Sequence, residues 1–373
     1  MYDQIREDTI YIMLYASVVM LSLIACIYLL FRDGNAFARY ITPPLRLRRW
    51  VAVFFASLVL NHVLYMPILF LSSSEDITMI DLIGGLSDSM TLFPVSIIVL
   101  LTMLQDRRRP LWPVAVMFAP LVVGNAYCVA TRSYAFQTTF YVYFLLLCIG
   151  LIIYMVHALR QYGRWLRDNY ADLEHKEVWQ SFVVLAIILL VFVVYAFVSK
   201  GPAYQYAMQI VVVILICYLL WRVETLSDLS ISQQQDLPID NTLSLSVRNR
   251  TASPLGLSKN IEPLLKQFCE EQQLYLQYDI TLSRLATVIG INRLYLTQYF
   301  ASQGMNYNAY INDLRINHFI CLYREAVAAH RPVIAQQLAF ESGYQSYSTF
   351  SGAFKRKTGQ SVTAWMATQE MKD

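Results

Sequence analysis

Charged residues are scarce in this sequence, and their scarcity excludes a wholly soluble protein. Asp, Glu, Lys and Arg make up 15% of the 373 residues, whereas hydrophobic residues make up 57%. In an average soluble domain, about a quarter of the residues are charged. The deficit lies before about residue 225, where apolar runs exceed the roughly 20 residues that cross a bilayer. We therefore expect a membrane region followed by a soluble region.

Paired cysteines and catalytic motifs are also missing. The six cysteines are scattered and none has metal-ligand spacing, so we interpret them as reduced. The sequence contains no His-Glu-x-x-His, no phosphate-binding glycine loop, no Gly-x-Ser-x-Gly and no Cys-x-x-Cys. We therefore expect no enzymatic activity, no metal site and no cofactor.

Seven apolar segments are candidate transmembrane helices. The first follows a short acidic stretch, Met1–Asp8, which is unlike the basic start of a secretory signal, so we expect that segment to be retained. The predicted spans are Thr9–Phe31, Trp50–Ser72, Ile83–Leu104, Leu111–Ala130, Thr138–Leu159, Ser181–Ser199 and Tyr204–Trp221. The third is the least regular, because Gly84, Gly85 and Pro94 interrupt it and leave its start uncertain.

The distribution of Lys and Arg predicts the orientation of these spans, because cytoplasmic loops carry an excess of both. The first, third and fifth loops hold Arg32, Arg39, Arg46, Arg48, Arg49, Arg107, Arg108, Arg109, Arg160, Arg164, Arg167 and Lys176. The N-terminus and the other loops hold only Arg6, Arg132 and Lys200. We therefore predict a multi-pass protein of the cytoplasmic (inner) membrane, with its N-terminus outside and its C-terminal region in the cytoplasm.

Any stimulus must be read by the helices themselves, because the predicted outer loops are too short to form a binding domain. These loops are about Ser73–Met79, Thr131–Gln137 and Lys200–Ala203. Polar side chains at bilayer depth are costly and are candidates for function; here they are Asn61, His62, Asp88 and Asn125. We hypothesise that His62 and Asp88 help form a pocket that senses a ligand or a proton. The alternative is an interhelical hydrogen bond that only holds the helices together.

Composition changes after the last apolar segment. Polar residues with Pro238 and Pro254 indicate a linker, which gives a sensor domain at 1–227, a linker at 228–257 and a C-terminal domain at 258–373. Leu219, Val223 and Leu226 lie at helical spacing, and we hypothesise that they pair between two protomers and transmit the signal.

The C-terminal region contains two copies of one pattern: an apolar helix, a glycine turn and a capped second helix. In the first copy Gly290 makes the turn and Asn292 is placed as an N-cap; in the second these positions are Gly343 and Ser346. No stretch alternates as a half-buried strand would. We predict an all-α protein, a seven-helix transmembrane bundle followed by a cytoplasmic double helix-turn-helix domain.

Residues from about Ile261 to Trp365 resemble the DNA-binding domain of AraC/XylS-type transcription regulators. The resemblance rests on Leu285-Ala286, Tyr295-Leu296, Phe300, Tyr310-Ile311, Arg315-Ile316, Leu338-Ala339, Gly343-Tyr344, Ser346–Phe350, Ala353–Lys355 and Thr358-Gly359. It implies two helix-turn-helix units joined by a long helix, with each second helix in the major groove. It covers under a third of the chain and says nothing about the apolar segments.

The resemblance also implies the DNA contacts. Base-facing positions would be Leu294, Thr297, Gln298, Tyr347, Ser348, Thr349 and Gly352, and phosphate contacts would be Arg293, Lys355, Arg356 and Lys357. The family often has arginine at Gln298 and Gly352, and usually proline at Val362 and arginine at Met366. Arg315 could form a structural ion pair or contact DNA.

The sequence therefore predicts a membrane-bound one-component transcription regulator. Its expected partners are double-stranded promoter DNA, membrane lipid, RNA polymerase, a second copy of the chain and an unidentified small ligand. The alternative is a receptor or transporter-like bundle whose C-terminal domain is a protein-interaction module without DNA binding. The small net charge of that domain, eleven Lys and Arg against nine Asp and Glu over Ser258–Asp373, favours this alternative.

Overall fold

A computed structural model describes residues 8–32, 35, 41–71, 73–134, 137–187, 202–229 and 261–370. It is 79% helical, and the described residues form no strands, which confirms the all-α prediction. The chain divides into two compact units: Met1–Tyr162 with Val178–Ser230, and Gly163–Glu177 with Ile231–Asp373. The predicted linker at 228–257 lies outside the described residues from 230 onward, and the predicted domain boundaries stay predictions.

The first unit is built from long apolar helices. They are α1 (Thr9–Phe31), α2 (Leu45–Tyr65), α3 (Ser74–Met90), α4 (Leu92–Met103), α5 (Trp112–Thr131), α6 (Gln137–Asn169) and α7 (Pro202–Thr225). The last turns of α6, from Gly163, belong to the second unit. Among the described residues, six helical stretches are long and apolar enough to cross a membrane. Of the predicted span Ser181–Ser199, residues 188–199 lie outside the described part of the chain.

The third span begins earlier than the sequence pattern predicts. Helix α3 starts at Ser74, so most of the predicted outer loop Ser73–Met79 is helical and that prediction is wrong. The Ser73 hydroxyl caps the helix by accepting from the Asp76 backbone N–H, and Glu75 and Asp76 lie in the first turn, where acidic groups are favourable. A break at Thr91 separates α3 from α4 within one apolar stretch, Ser74–Met103.

The hypothesis that the end of the last apolar helix forms a seam between two copies is not supported by its packing. Leu219 is 3% exposed, and Val223 and Leu226 are 0% exposed. Side chains already buried within one protomer are not available to a second copy. The helical periodicity identified an apolar face correctly, but periodicity alone does not tell which surface covers it.

In the described residues of the second unit, six α-helices follow a helical turn at Lys266–Glu271 and a short one at Leu274–Leu276, and residues 163–177 belong to the same unit. The helices are α8 (Leu282–Ile289), α9 (Arg293–Ser302), α10 (Tyr307–Ala328), α11 (Ala335–Glu341), α12 (Tyr347–Thr358) and α13 (Val362–Glu370). They form two hydrophobic cores. Core 1 lies around α8 and α9, and core 2 around α11 and α12. Helix α10 contributes Ile311 to core 1 and Phe319 to core 2, so one continuous helix holds both together.

Arg315 lies on α10 between the two cores and is 1% exposed. Its Nε donates to the Tyr275 carbonyl at 2.7 Å, and its Nη2 donates to the Gln277 carbonyl at 2.7 Å. The guanidinium also lies 5.4 Å from the centre of the Tyr344 ring. Burial lowers its pKa, although the neighbouring Tyr344 and Tyr307 oppose the shift. Arg315 is therefore a structural residue that satisfies main-chain carbonyls.

Candidate nucleic-acid interface

The first helix-turn-helix is formed by α8 and α9. Gly290 occupies the turn with φ 76°, in the left-handed region that glycine adopts without strain. The Asn292 side chain accepts from the Leu294 backbone N–H at 2.8 Å and caps α9 as predicted. Leu296 and Phe300 are buried in core 1, so α9 has a fixed inner face.

The outer face of α9 carries the predicted contacts of the first unit. Arg293 and Gln298 are exposed, and Leu294 is 59% exposed. Thr297 is half-buried and its hydroxyl donates to the Arg293 carbonyl at 3.1 Å. These four side chains therefore share a short surface at the beginning and middle of one helix, where a groove-reading helix has its base contacts.

The second helix-turn-helix is formed by α11 and α12 and repeats the same local chemistry. The Ser346 hydroxyl accepts from the Thr349 backbone N–H at 3.2 Å and caps α12. Phe350 and Phe354 are buried in core 2. The Tyr347 ring lies 5.8 Å from the Phe350 ring and is half-buried, so only part of it remains accessible.

The outer face of α12 is polar and ends in a basic turn. Ser348, Lys355 and Arg356 are exposed. Lys357 forms a salt bridge with Asp313 at 3.1 Å and donates to Asn317 at 3.1 Å, so a phosphate would have to compete for its ammonium group. Lys355 and Arg356 are therefore the more available cations at this end of the helix.

Residues Asn169–Glu177, here called the acidic segment, contact both second helices within the same unit. The Glu174 carboxylate accepts from the hydroxyls of Ser346 and Thr349, the latter at 2.7 Å. The Asn169 side-chain oxygen accepts from the Arg293 guanidinium. Sequence reasoning missed Asn169, the last residue of α6, and Glu174, in the loop that follows, because both lie more than a hundred residues before the helices that they contact and carry no motif.

The polar side chains predicted for sensing lie in the first unit with separate partners. His62 Nε2 is 3.3 Å from the Gln209 side-chain oxygen, whereas Asp88 accepts from the Tyr65 hydroxyl at 2.9 Å. Asn61 donates to the Thr91 hydroxyl at 3.1 Å, and Asn125 donates to the Gly85 carbonyl at 3.3 Å. The structure therefore distributes these four residues over several interhelical hydrogen bonds, and their sensing role stays a prediction. Among the described residues, no cluster of His, Cys, Asp and Glu could hold a metal ion.

Comparison with known proteins assigns the C-terminal region. Residues 285–368 match the family model described as a helix-turn-helix domain. This match confirms the resemblance to AraC/XylS-type regulators that the sequence motifs carry. Neither the search of curated proteins nor the search of solved structures found a match.

Proposed function

Because residues 285–368 form an AraC/XylS-type helix-turn-helix domain, we propose that this chain is a membrane-bound one-component transcription regulator. The observation that carries the proposal is the pair of capped second helices, α9 and α12, held by one continuous helix, α10. Apolar helices long enough to cross a membrane precede this domain. Sensing and DNA binding would then reside in one polypeptide.

In the proposed complex, α9 and α12 enter successive segments of the major groove. Leu294, Thr297 and Gln298 would meet bases in one segment, and Ser348, Thr349 and Gly352 in the next, with Tyr347 at the margin. Phosphates would be bound by Arg293, Lys355, Arg356 and, after release from Asp313, Lys357. Phosphate contacts position the protein, whereas contacts to base edges supply sequence preference.

The proposed orientation places the C-terminal domain on the cytoplasmic side, together with the fifth loop, which contains Lys176. Two independent observations support it. Lys and Arg are concentrated in the loops predicted to face the cytoplasm. In addition, residues 170–177, which follow α6 in one of those loops, belong to the same compact unit as the helix-turn-helix domain. Two parts of one compact unit must share one side of a membrane.

The proposed input is a small ligand or a state of the membrane, read by the apolar helices. The side chains proposed for this role are Asn61, His62, Asp88 and Asn125. Each forms a hydrogen bond that a bound molecule could replace or that a change in protonation could break. Promoter DNA is the proposed output partner, with RNA polymerase recruited at the same site. A second copy of the chain would occupy a neighbouring site.

The interaction with DNA can be tested with the full-length chain in lipid discs and a pool of random 40-base-pair duplexes. We expect binding that weakens steeply between about 50 and 200 mM salt, because phosphate binding releases counterions. Arg356→Ala should weaken binding to all sequences and reduce the slope of log affinity against log salt by about 1. Arg331→Ala removes an exposed arginine outside the two second helices and is the matched control.

The second candidate function, a protein-interaction module without DNA binding, is favoured by the nearly balanced charge of the C-terminal domain. The same titration separates the two functions. If neither the wild-type chain nor any variant binds a duplex at low salt, the function as a DNA-binding regulator is excluded. The function as a protein-interaction module then remains.

Gly352 offers a test of base readout. An added Cβ at this position would meet only the Arg356 guanidinium at 3.7 Å, an ordinary contact distance, so a side chain can start here without a clash at its Cβ. Gly352→Arg should create a preference for guanine worth about 1–3 kcal/mol at one position of the bound sequences. The measurement is sequencing of duplexes selected from a random pool.

The control for this prediction is Gly352→Ala. Alanine should stabilise α12 by about 1 kcal/mol, because glycine is a poor helix former, but it provides no donor to a base. A new guanine preference in both variants, or in neither, would contradict a base-facing position for residue 352.

A further inference from the structure

We propose that the acidic segment, Asn169–Glu177, is an inhibitory element that occupies the DNA-binding face of the helix-turn-helix domain. The inference rests on the proposed function and adds its regulation: the regulator would be closed until the segment leaves. It is drawn from three features of the second unit, namely how the segment is anchored, which donors it engages and which charge it carries.

The segment is seated on the domain by its main chain. The Asn308 side chain donates to the carbonyls of Tyr170 at 3.2 Å and Ala171 at 2.6 Å. Ala171 is buried in core 1, and the backbone of Tyr170 forms an antiparallel bridge with that of Thr281. These contacts fix the position of the segment beside α8 and α10, so that its side chains reach defined places.

One of those places is the N-terminus of α12. The Ser346 and Thr349 hydroxyls both donate to the same oxygen of the Glu174 carboxylate. Helix N-termini attract anions, because their N–H groups and the helix dipole point outward there. In a DNA complex the anion would be a phosphate of the backbone. The Glu174 carboxylate therefore occupies this helix N-terminus and engages the hydroxyl of Thr349, a proposed base contact, which is then not available to DNA.

The other place is the beginning of α9. Arg293 is the first residue of that helix, and its guanidinium donates to the Asn169 side-chain oxygen. Arg293 is a proposed phosphate contact. Asn169 and Glu174 are five positions apart, yet they engage the leading ends of both groove-reading helices. A segment that only packed against the domain would not be expected to accept hydrogen bonds at the start of both α9 and α12.

The acidic segment also carries an excess of negative charge, as the phosphate backbone of DNA does. Asp172, Glu174 and Glu177 stand against the single Lys176. Burial lowers the pKa of Lys176, whereas the neighbouring Asp172, Asp279 and Glu174 favour its charged form. The excess negative charge would repel a phosphate backbone brought to the same surface. DNA and the seated segment therefore exclude each other.

The segment is placed to receive a signal through the chain itself. It begins with the last residue of α6, and Val142–Asn169 of that helix is one of the stretches apolar and long enough to cross a membrane. A shift of α6 would act directly on Asn169. If only the open form, without the segment on α9 and α12, binds DNA, the apparent affinity equals the affinity of the open form multiplied by the fraction of molecules that are open.

The test uses the full-length chain in lipid discs and the random 40-base-pair pool. Glu174→Gln keeps the size of the side chain and removes its charge, and should tighten DNA binding at least about fivefold, the lower end of typical coupling between sites. Asn169→Ala, which frees Arg293, should act in the same direction. The matched control is Asp168→Asn, which removes an equal charge at a position whose charged neighbours are Arg167 and Arg164.

A second measurement needs no variant. Amide hydrogen exchange of residues 170–177 in the wild-type chain should accelerate when DNA is added, because the bridge to Thr281 and the bonds from Asn308 open. Unchanged protection of these amides in the DNA complex would overturn the proposal. So would wild-type affinity in both Glu174→Gln and Asn169→Ala, or equal tightening by Asp168→Asn, which would reduce the effect to general charge.

Failure of the underlying function gives a different result. If DNA binding is measurable in the wild-type chain but insensitive to the segment, only the inhibitory role falls. If the wild-type chain and all variants ignore every duplex at low salt, DNA binding itself is wrong and the inhibitory role falls with it.

Discussion

Replacing Gly343 with alanine is expected to unfold core 2 and to abolish DNA binding. Gly343 has φ 85°, a region that costs other residues about 1–2 kcal/mol. A Cβ at this position would also lie 2.6 Å from the Leu276 carbonyl oxygen and 2.8 Å from the Leu276 Cα. Both are backbone atoms that cannot rotate away. Because the second helix-turn-helix would have to move from Leu276, we expect a loss of several kcal/mol, typical of severe overpacking.

The matched control is Gly290→Ala at the equivalent turn of the first unit. Gly290 has φ 76°, but an added Cβ would meet open space. Only the backbone strain of about 1–2 kcal/mol is then expected. Hydrogen exchange of the α11 and α12 amides measures the difference in the full-length chain. Equal protection in the two variants would show that close approach to Leu276 does not decide the stability of the second turn.

Replacing Arg315 with methionine is the second change with a large expected effect. Methionine has a similar length but donates no hydrogen bond, so the carbonyls of Tyr275 and Gln277 lose the donors that Arg315 supplies. The bond to Tyr275 is buried, and an unsatisfied buried acceptor costs about 1–3 kcal/mol. The bond to Gln277 is only partly buried, so its loss adds less, and the total should be roughly 2–4 kcal/mol. The contact with the Tyr344 ring is lost as well. We expect faster hydrogen exchange throughout α10 and its neighbours.

Arg324→Met is the control for this prediction, because Arg324 is an exposed arginine on the same helix. Its replacement should change the stability of the domain by no more than about 0.5 kcal/mol, as is usual for surface positions. An equal and small effect of both substitutions would mean that the two carbonyls find other donors and that Arg315 is dispensable.

Local chemistry explains why much of the C-terminal domain could be predicted from the sequence. Helix caps, left-handed turns and apolar stripes depend on residues a few positions apart. Asn292 and Ser346 therefore identified the starts of α9 and α12, and Gly290 and Gly343 identified their turns. The all-helical fold followed from the absence of alternating patterns, and the membrane region from the length of apolar runs.

Contacts between distant parts of the chain explain what could not be predicted. For Arg315 the residue pattern left two interpretations, an ion pair or a DNA contact, but its partners are the carbonyls of an irregular segment about forty residues earlier. The early start of α3 depends on the Ser73 cap in a stretch without strong hydropathy. The contact of Glu174 with Ser346 joins residues 172 positions apart, which no local pattern encodes.

The helix α10 has a consequence for the arrangement of target sites. It spans 22 residues, which corresponds to about 33 Å at a rise of ~1.5 Å per residue. One turn of the DNA duplex measures about 34 Å. Because the continuous helix α10 contributes side chains to both cores, the second helices α9 and α12 cannot change their separation independently. Under the proposed function, the target site would consist of two blocks on one side of the duplex, and adding half a turn of spacer between them would rotate one block out of reach.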